Sequence, residues 1–303
     1  MTNYVFNLRA STVHGIKFKN SEVTKEFVIS YRKRIDTNHV DLSEALSIIY
    51  KILSNNPDGE DFNLGISIPG VINSKDKKVV TESLFKNVSI DFNEYFKNIK
   101  HLKRLEIIND GNAELLGEYY YGSASQYKNV FMISIAFAMA GALILDGKLR
   151  VGKHSRAAEF SKMYADIAKN EIFSSESSIY CGNMQARYRL ALAKNIDIND
   201  MDWSKFLELF IQNDTNALEV VDIWTSSIAK QIININLVTD VDAVIIGNNG
   251  TTFKVFTDKV REKVLQYSEK VKLGSPSIMP GELGKRASLY GLLAILEGKW
   301  NYE

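Results

Sequence analysis

One stretch of the sequence, residues 105–160, most constrains the fold. It begins with an apolar run, Leu105–Ile108, that leads directly into Asn109-Asp110-Gly111-Asn112 and then into a helical pattern. A second apolar run, residues 130–145, turns at Asp146-Gly147, a dipeptide that is typical of two-residue β-hairpins. The stretch therefore predicts a buried strand, a helix and a hairpin in succession, which is a pattern of α/β proteins.

The run 130–145 contains sixteen residues without a charge, but it is not predicted to cross a membrane. A spanning helix needs about 20 apolar residues, so two buried strands are the better interpretation. A composition of 45% hydrophobic and 24% charged residues is typical of soluble globular proteins. The net charge of +1 argues against nucleic acid or an anionic membrane as a partner.

The cysteine content and the first residues bear on location and metal binding. Cys181 is the single cysteine, so an internal disulfide and a cysteine-rich zinc site are excluded. The sequence opens with Met1-Thr2-Asn3-Tyr4 and shows no basic segment followed by an apolar one. We therefore expect a cytoplasmic protein.

The remaining patterns predict two similar α/β lobes with mixed sheets. In the first lobe we expect an antiparallel meander (4–8, 15–18 and 26–30) and a helix capped by Asp41 or Ser43 (42–54). Two further strands (63–68 and 105–108), with a helical stretch between them, and a helix at 113–122 follow. In the second lobe we expect strands at 130–137, 142–145 and 242–247, and helices at 184–193, 203–211, 216–238, 253–271 and 286–297.

Several motifs, taken in this order, resemble the ROK family of bacterial sugar kinases and related transcriptional repressors, which have the actin-like ATPase (ribonuclease H-like) fold. They are Gly65–Asn73, Asn109–Ala113, Gly147–Leu149 followed by Gly152 and Ala158–Phe160, Val244–Gly247 and Ala287–Gly291. The resemblance implies a cleft between the lobes. It also implies a small lobe at 1–115 plus 286–303, and a large lobe at 116–285 that carries the sugar cleft and the dimer interface.

The resemblance also implies a sugar site. Asp110 matches the family's general base, which must lie within hydrogen-bond reach of the sugar hydroxyl while the γ-phosphate lies in line. Asn109, Gly70 and Glu159 match positions around the sugar. Two structural alternatives stay open: Asp110 is only a helix N-cap, and Glu159 is only a solvated carboxylate.

The first phosphate-binding turn departs from the family pattern. Family kinases have Asp-x-Gly-Gly-Thr after the first strand, and the sequence here is Arg9-Ala10-Ser11-Thr12-Val13-His14-Gly15. Ala10 takes the place of the aspartate that helps to hold Mg²⁺, and Thr12 and Val13 take the places of the glycines. A β-branched valine does not readily adopt the positive φ that glycine allows.

The second phosphate loop is also altered. The family's Gly-Thr-Gly-x-Gly-Gly is Ala136–Gly141 here, and Gly141 and Gly247 are what remains of the predicted ATP site. Lys162 replaces a histidine that in many members contacts sugar or zinc. The cysteine-rich loop is reduced to residues 180–184, so no zinc is expected.

These losses favour a pseudokinase that acts by binding a sugar or a protein partner, with no certain cofactor. The alternative is an active ATP-dependent hexose or N-acetylhexosamine kinase that uses Mg-ATP and Asp110 as the base. A phosphate site rebuilt from His14 and Lys162 is a further possibility. No segment for a helix-turn-helix arm precedes the first strand, so no direct nucleic-acid binding is expected. The resemblance implies a homodimer, and the aromatic residues Tyr119–Tyr121, Phe206 and Phe210 are either dimer contacts or core.

Overall fold

A computed structural model describes residues 1–9, 11–31, 40–55, 59–81, 85–136, 139–166, 171–172, 182–248, 254–272 and 274–301. The chain divides into two compact units. The first unit comprises Met1–Ser125, Val151–Ala157 and Lys285–Glu303, and the second comprises Gln126–Arg150 and Ala158–Gly284. The domain boundaries implied by the family resemblance stay predictions.

Strands and helices alternate along the described parts of the chain. Up to residue 125 they are β1 (Thr2–Leu8), β2 (Thr12–Lys19), β3 (Glu22–Ser30), β4 (Val40–Asp41), α1 (Leu42–Ser54), β5 (Phe62–Ile68), β6 (Ile72–Asn73), β7 (Lys78–Val79), β8 (Phe85–Lys86), α2 (Phe92–Phe96), β9 (Leu102–Asn109) and α3 (Asp110–Tyr121). Beyond it they are β10 (Val130–Ile135), β11 (Met139–Leu145), β12 (Lys148–Leu149), β13 (Tyr164–Asp166), β14 (Glu171–Ile172), α4 (Asn183–Ala193), α5 (Trp203–Ile211), α6 (Thr215–Thr239), β15 (Ala243–Asn248), α7 (Lys254–Val271), β16 (Ser277–Pro280) and α8 (Ala287–Leu296).

The two units are built around mixed five-stranded sheets of the same topology. The first sheet has the order β3-β2-β1-β5-β9, and the second has the order β12-β11-β10-β15-β16. In each sheet the first three strands are antiparallel, and the last two run parallel to the third. The predicted α/β fold with two similar lobes and mixed sheets is confirmed.

The first unit buries both faces of its central strands. Every residue of β1 and β5 is buried, as expected for strands covered on both sides. Helix α1 begins after Asp41, whose carboxylate accepts a hydrogen bond from the Ser43 N–H at 2.8 Å, so one of the two predicted caps is confirmed. Helix α8 is buried along almost its whole length and packs on this sheet. Its Leu292 and Leu296 side chains lie within 3.4 Å of the position that a Cβ on Gly65 of β5 would occupy.

Two glycines let helices α3 and α8 cross at very short range. A Cβ added to Gly117 would lie 1.9 Å from the Ala287 carbonyl oxygen. A Cβ added to Gly291 would lie 1.8 Å from the Ala113 carbonyl oxygen. Neither residue tolerates a side chain, because real Cβ atoms do not approach heavy atoms so closely. The crossing therefore fixes the position of α3, the helix that begins at Asp110.

The second unit has its own apolar core, built mainly by α5, α6 and α7. Trp224 and Phe256 pack with ring centroids 4.6 Å apart, and Trp203 stacks on Phe206 at 5.2 Å. The Asp146-Gly147 turn has φ values of 54° and 76°, which is the predicted two-residue hairpin with positive φ at both positions.

Some predicted boundaries were wrong, and some elements were missed. Helix α3 begins three residues earlier than expected, β10 ends at Ile135 instead of residue 137, and β11 begins at Met139 instead of Ala142. Helix α2 lies where a helical stretch was expected between two strands, whereas strand β16 was missed because it is short and ends in a proline. Among the described residues, no helix is both long and apolar enough to cross a membrane.

Candidate active site

Three loops with polar groups meet at one edge of the first sheet. Strands β1, β5 and β9 are parallel, so their carboxyl ends lie at the same edge. Arg9 follows β1, Gly70 follows β5 by two residues, and Asn109 is the last residue of β9. This edge is where open α/β sheets commonly bind their ligands.

Asn109 ties two of these loops together and caps helix α3. Its Oδ1 accepts a hydrogen bond from the Asn112 N–H at 3.0 Å, and its Nδ2 donates to the Gly70 carbonyl oxygen at 2.9 Å. The hypothesis that Asp110 is the N-cap is therefore wrong, because Asn109 holds that position and Asp110 is the first helical residue. The sugar-binding role of Asn109 and Gly70 stays a prediction.

The Asp110 side chain is half-buried at this edge. Its Oδ1 accepts hydrogen bonds from the Gly111 N–H at 3.0 Å and from Asn109 Nδ2 at 3.3 Å. Burial raises the pKa of the Asp110 carboxyl, and the Gly111 N–H and the positive charge of Arg9 act against that rise. A carboxyl with a raised pKa is suited to accept a proton or a hydrogen bond from a hydroxyl group.

Arg9 brings a positive charge to the same edge. Its Nη2 donates a hydrogen bond to the Lys285 carbonyl oxygen at 2.9 Å. Burial lowers the pKa of the Arg9 guanidinium, whereas the carboxylates of Glu114 and Asp110 raise it. Glu114 lies one helical turn after Asp110 and therefore on the same face of α3. Arg9, Asp110 and Glu114 thus form a charged group at the edge of the sheet.

A second charged group lies beside the first. His14 Nε2 and Glu26 Oε1 are 2.7 Å apart, and Arg286 donates hydrogen bonds to both carboxylate oxygens of Glu26. Burial lowers the pKa of His14, its hydrogen bond to Glu26 opposes that change, and the charges of Arg9 and Arg286 reinforce it. Within the first unit, His14 is therefore engaged with Glu26.

Two backbone hydrogen bonds are formed at the connection between β1 and β2. The Arg9 N–H donates to the Thr12 carbonyl oxygen at 3.0 Å, and the Tyr31 N–H donates to the Ser11 carbonyl oxygen at 3.0 Å. Thr12 and Val13 belong to β2 and have ordinary negative φ. Phosphate-binding turns instead present successive free N–H groups to the anion. Thr12 and Val13 are strand residues and do not form such a turn. Ala10 lies outside the described residues.

In the second unit, Gly141 has a packing role. It lies within β11, and a Cβ there would be 2.3 Å from the Ala158 carbonyl oxygen and 2.5 Å from the Phe160 ring. Glu159 lies between these two residues and precedes the short 3₁₀ helix Phe160–Lys162, which it does not cap with its side chain. The sugar-binding role of Glu159 and the nucleotide role of Gly141 stay predictions.

Ala158, next to Glu159, has a φ of 63°, a left-handed conformation that costs an L-residue roughly 1 kcal/mol. We expect Ala158→Gly to raise the free energy of unfolding by up to about 1 kcal/mol, because the relief of strain exceeds the added chain entropy. Urea unfolding measures the change. Ala157→Gly, at a residue without positive φ, is the matched control and should be destabilising. Equal losses in the two variants would contradict the prediction.

The second predicted ATP glycine lies at the end of a strand. Gly247 pairs with Ser134 in the second sheet, and the next residue, Asn248, has a φ of 53°. Asparagine is one of the few residues other than glycine that adopt this conformation readily. Asn248 therefore allows a backbone that glycine would also adopt. Phe137, Ala138 and Cys181, all part of the sequence argument, lie outside the described residues.

The aromatic residues that were either dimer contacts or core have different surroundings in the structure. Phe206 and Phe210 are buried in the second unit, so the core alternative is correct for them. Tyr121 donates a hydrogen bond to Glu297 Oε2 at 2.7 Å, and Tyr120 donates to the Lys299 carbonyl oxygen at 2.7 Å. In the described part of the chain, no group of three or more histidine, cysteine, aspartate or glutamate residues is arranged to hold a metal ion.

The sequence profile of the ROK family matches residues 14–299. The chain belongs to the ROK family. An N-acetyl-D-glucosamine kinase of Haemophilus influenzae is 20% identical over 257 residues, which cover 80% of this chain and 83% of that enzyme. The xylose repressor of Bacillus subtilis is 22% identical over 292 residues, which cover 93% of this chain and 75% of the repressor.

The fold of this ROK protein also matches solved structures of the family. A ROK family glucokinase from Streptomyces griseus, crystallised with glucose and AMPPNP, aligns with a TM-score of 0.79 and 15% identity. The alignment covers 97% of this chain and 99% of the glucokinase. ROK relatives thus include proteins that bind sugars and proteins that repress transcription.

Sequence reasoning missed two residues of this edge. Arg9 was noted only as part of a degenerate turn, and Glu114 was not singled out. One signal was available for Glu114, because it follows Asp110 by four residues and must share its helical face. No sequence signal connected Arg9 to either carboxylate, since their proximity depends on strand order.

Proposed function

We propose that this ROK protein binds a small sugar at the carboxyl edge of its first sheet and acts as a regulator without efficient phosphoryl transfer. The observation that carries the proposal is the combination, at one edge, of an Asp110 carboxyl whose pKa is raised and a β1–β2 connection in which Thr12 and Val13 are strand residues without positive φ. The first feature suits a sugar hydroxyl, and the second does not suit a phosphate.

Phosphoryl transfer depends mainly on positioning and charge stabilisation. Without the family's magnesium aspartate and without two backbone cradles, the rate is expected to fall by several orders of magnitude on that account. Binding of an uncharged sugar needs none of these groups. A family that contains a xylose repressor as well as kinases makes a binding function for this chain reasonable.

An active ATP-dependent kinase for a hexose or N-acetylhexosamine is the second candidate. The raised pKa of Asp110 favours it, because a general base works best when its pKa lies near the working pH. The similarity to an N-acetyl-D-glucosamine kinase agrees with this substrate class. In that case Asp110 would accept the proton of the attacking hydroxyl, and Mg-ATP would supply the phosphoryl group.

A thermal-shift titration separates the two candidates. Glucose, xylose, N-acetylglucosamine and N-acetylmannosamine are titrated singly, each with and without Mg-ATP. A ligand at about 100 times its Kd stabilises by about 2.7 kcal/mol, which corresponds to a rise in Tm of about 5 °C. We expect one sugar to raise the Tm and Mg-ATP to leave it unchanged.

A rise in Tm with Mg-ATP, together with sugar-dependent release of ADP, would contradict the regulatory proposal and support the kinase. No response to any of the four sugars would contradict sugar binding. The exposed Asp258→Asn variant, in the second unit, serves as a control for nonspecific changes in Tm.

We further propose a homodimer, with its interface on helices α4, α5 and α6. The supporting observation is a set of exposed apolar side chains on these helices: Tyr188, Leu192, Ile211 and Leu218. Sedimentation of the wild type and of an Ile211→Glu variant tests the idea, and a wild-type monomer would contradict it. A protein partner and a cytoplasmic location stay predictions.

A further inference from the structure

Strand β2 carries a histidine from which a path of contacts leads to helix α8. His14 is 6% exposed, and its Nε2 lies 2.7 Å from Glu26 Oε1 on the neighbouring strand β3. Arg286, the residue before α8, donates from Nε to Glu26 Oε1 at 3.2 Å and from Nη2 to Glu26 Oε2. Glu26 therefore connects a buried residue of the sheet to the start of α8.

The start of α8 is in turn packed against the middle of α3. Ala287 directly follows Arg286, and a Cβ on Gly117 of α3 would lie 1.9 Å from the Ala287 carbonyl oxygen. No space is left between the two helices at this point, so a movement of Ala287 must displace α3. Helix α3 begins at Asp110, about two turns before Gly117. The path of contacts thus continues from His14 to the helix that carries Asp110.

We propose that His14 is a positioning residue for the carboxyl edge of the first sheet: through Glu26 and Arg286 it holds the start of α8, and its protonation weakens that hold. The inference rests on the proposed sugar-binding function and deepens it, because α8 keeps α3, and therefore Asp110, in place. The affinity for the sugar should then decrease in mildly acidic solution.

The exposure of the three side chains explains why the histidine matters. The Glu26 and Arg286 side chains are 30% and 49% exposed. An ion pair so accessible to water contributes little by itself, because solvent screens it and both side chains lose rotamer freedom. The hydrogen bond from the buried His14 restricts the Glu26 carboxylate to one orientation, in which both of its oxygens accept from Arg286. The histidine therefore determines how firmly Arg286 is held.

The elements around His14 contribute both carboxylates and guanidinium groups. They are Glu26 on β3, Arg9 after β1, Arg286 before α8, and Asp110 and Glu114 on α3. Glu26 attracts a protonated imidazole ring, the two arginines repel it, and the carboxylates of α3 act on Arg9. A proton on His14 thus enters a group in which Glu26 is already paired with Arg286.

The direction of the pH effect follows from the surroundings of the ring. Burial disfavours the charged ring and lowers the pKa of His14 below its ordinary value of about 6.5, although the hydrogen bond to Glu26 opposes this change. A loosened state, in which water reaches the ring, therefore binds the proton more readily. Its share rises as the pH falls below about 6.5, so the hold is complete near pH 8 and weaker near pH 5.5.

Calorimetric titration of the wild type and His14→Gln, with the sugar identified by thermal shift, tests the proposal between about pH 5.5 and about pH 8. Glutamine keeps a donor for Glu26 and does not titrate. The wild type should lose roughly tenfold more affinity than His14→Gln over this range, since one pKa unit corresponds to a factor of about ten. Any titration of Asp110 is common to both proteins and cancels in the comparison. His101→Gln, at an exposed histidine that pairs with Asp61, is the matched control and should behave like the wild type.

A second readout needs no sugar. Hydrogen exchange of the backbone amides 290–292, corrected for the intrinsic effect of pH, reports how firmly the first turns of α8 are held. Their protection should fall roughly tenfold from about pH 8 to about pH 5.5 in the wild type and stay constant in His14→Gln. Glu26→Gln removes the ion pair with Arg286 and should show the low protection already near pH 8, and it also serves if His14→Gln does not fold. Glu94→Gln, which removes an exposed ion pair of α2, is its control.

The two readouts separate the inference from the proposed function. Equal pH dependence of exchange in the wild type and His14→Gln, or wild-type protection in Glu26→Gln near pH 8, would overturn the inference. So would a change in exchange without a change in sugar affinity, because α8 would then not position Asp110. A protein that binds none of the sugars, but whose exchange responds to pH as expected, would overturn the proposed function and leave the hold of His14 on α8 established.

Discussion

Replacing Gly291 with alanine is expected to lower the free energy of unfolding of this ROK protein by about 2 kcal/mol. The added Cβ would lie 1.8 Å from the Ala113 carbonyl oxygen, so helices α3 and α8 must move apart. Overpacking of this kind costs about 1–3 kcal/mol or more, whereas the better helix propensity of alanine stabilises the helix by only about 1 kcal/mol. The steric cost is therefore the larger effect, and the variant should be less stable than the wild type. Urea unfolding of the purified protein measures it.

Gly274→Ala is the control for this prediction. No heavy atom lies within 4 Å of the position of its Cβ, and its φ is not positive, so the substitution should be neutral or slightly stabilising. Since α3 begins at Asp110, a shift of this helix should also weaken sugar binding in Gly291→Ala. A stability equal to that of the wild type would mean that the two helices do not cross as closely as described.

Replacing Asp110 with asparagine is expected to reduce sugar affinity by about 10–100-fold. Hydrogen bonds to a charged group contribute about 1.5–3 kcal/mol each, and the amide loses the charge while it keeps the shape. Stability should change little, because the remaining side-chain oxygen still accepts the hydrogen bond from the Gly111 N–H. Calorimetric titration measures the affinity, and circular dichroism verifies the fold.

Asp258→Asn, on the second unit, is the matched control and should bind the sugar like the wild type. If the protein is a kinase, Asp110→Asn should instead remove turnover while the sugar still binds. Full affinity in Asp110→Asn would show that this carboxylate does not contact the sugar. That result would direct attention to Glu159 in the second unit.

Much of the fold could be predicted from local patterns. The antiparallel meander, the cap at Asp41, the Asp-Gly hairpin and the long helix α6 all follow from periodicity and turn chemistry within one short segment of the chain. The boundaries of α3 and β11 could not be predicted as well. At the start of α3 the residues Asn109-Asp110-Gly111-Asn112 have the composition of a turn, although three of them are helical. At the start of β11 the pairing with β10 across the sheet defines the first residue of the strand.

Most residues of the candidate site could be predicted from the sequence, but the contacts between them could not. The position of Asp110 after a strand was evident, but its role as a cap was not settled, because Asn and Asp are about equally good caps. The tertiary contact between Asn109 and Gly70 decided the matter, since these residues are 39 positions apart. Arg9 remained unnoticed because nothing in its local sequence suggests a carboxylate neighbour.

The sequence by itself determined the family, the two-lobe α/β fold and the loss of the phosphate-binding motifs, because these are properties of residue order and local backbone preference. The tertiary structure decided which side chains share the carboxyl edge. It placed Arg9, which follows β1, at the same edge of the sheet as Asp110 of α3, and it required glycine at both helix crossing points. Electrostatic interactions and steric exclusion act through space, so residues that are distant in the chain interact only after the strands are ordered in the sheet.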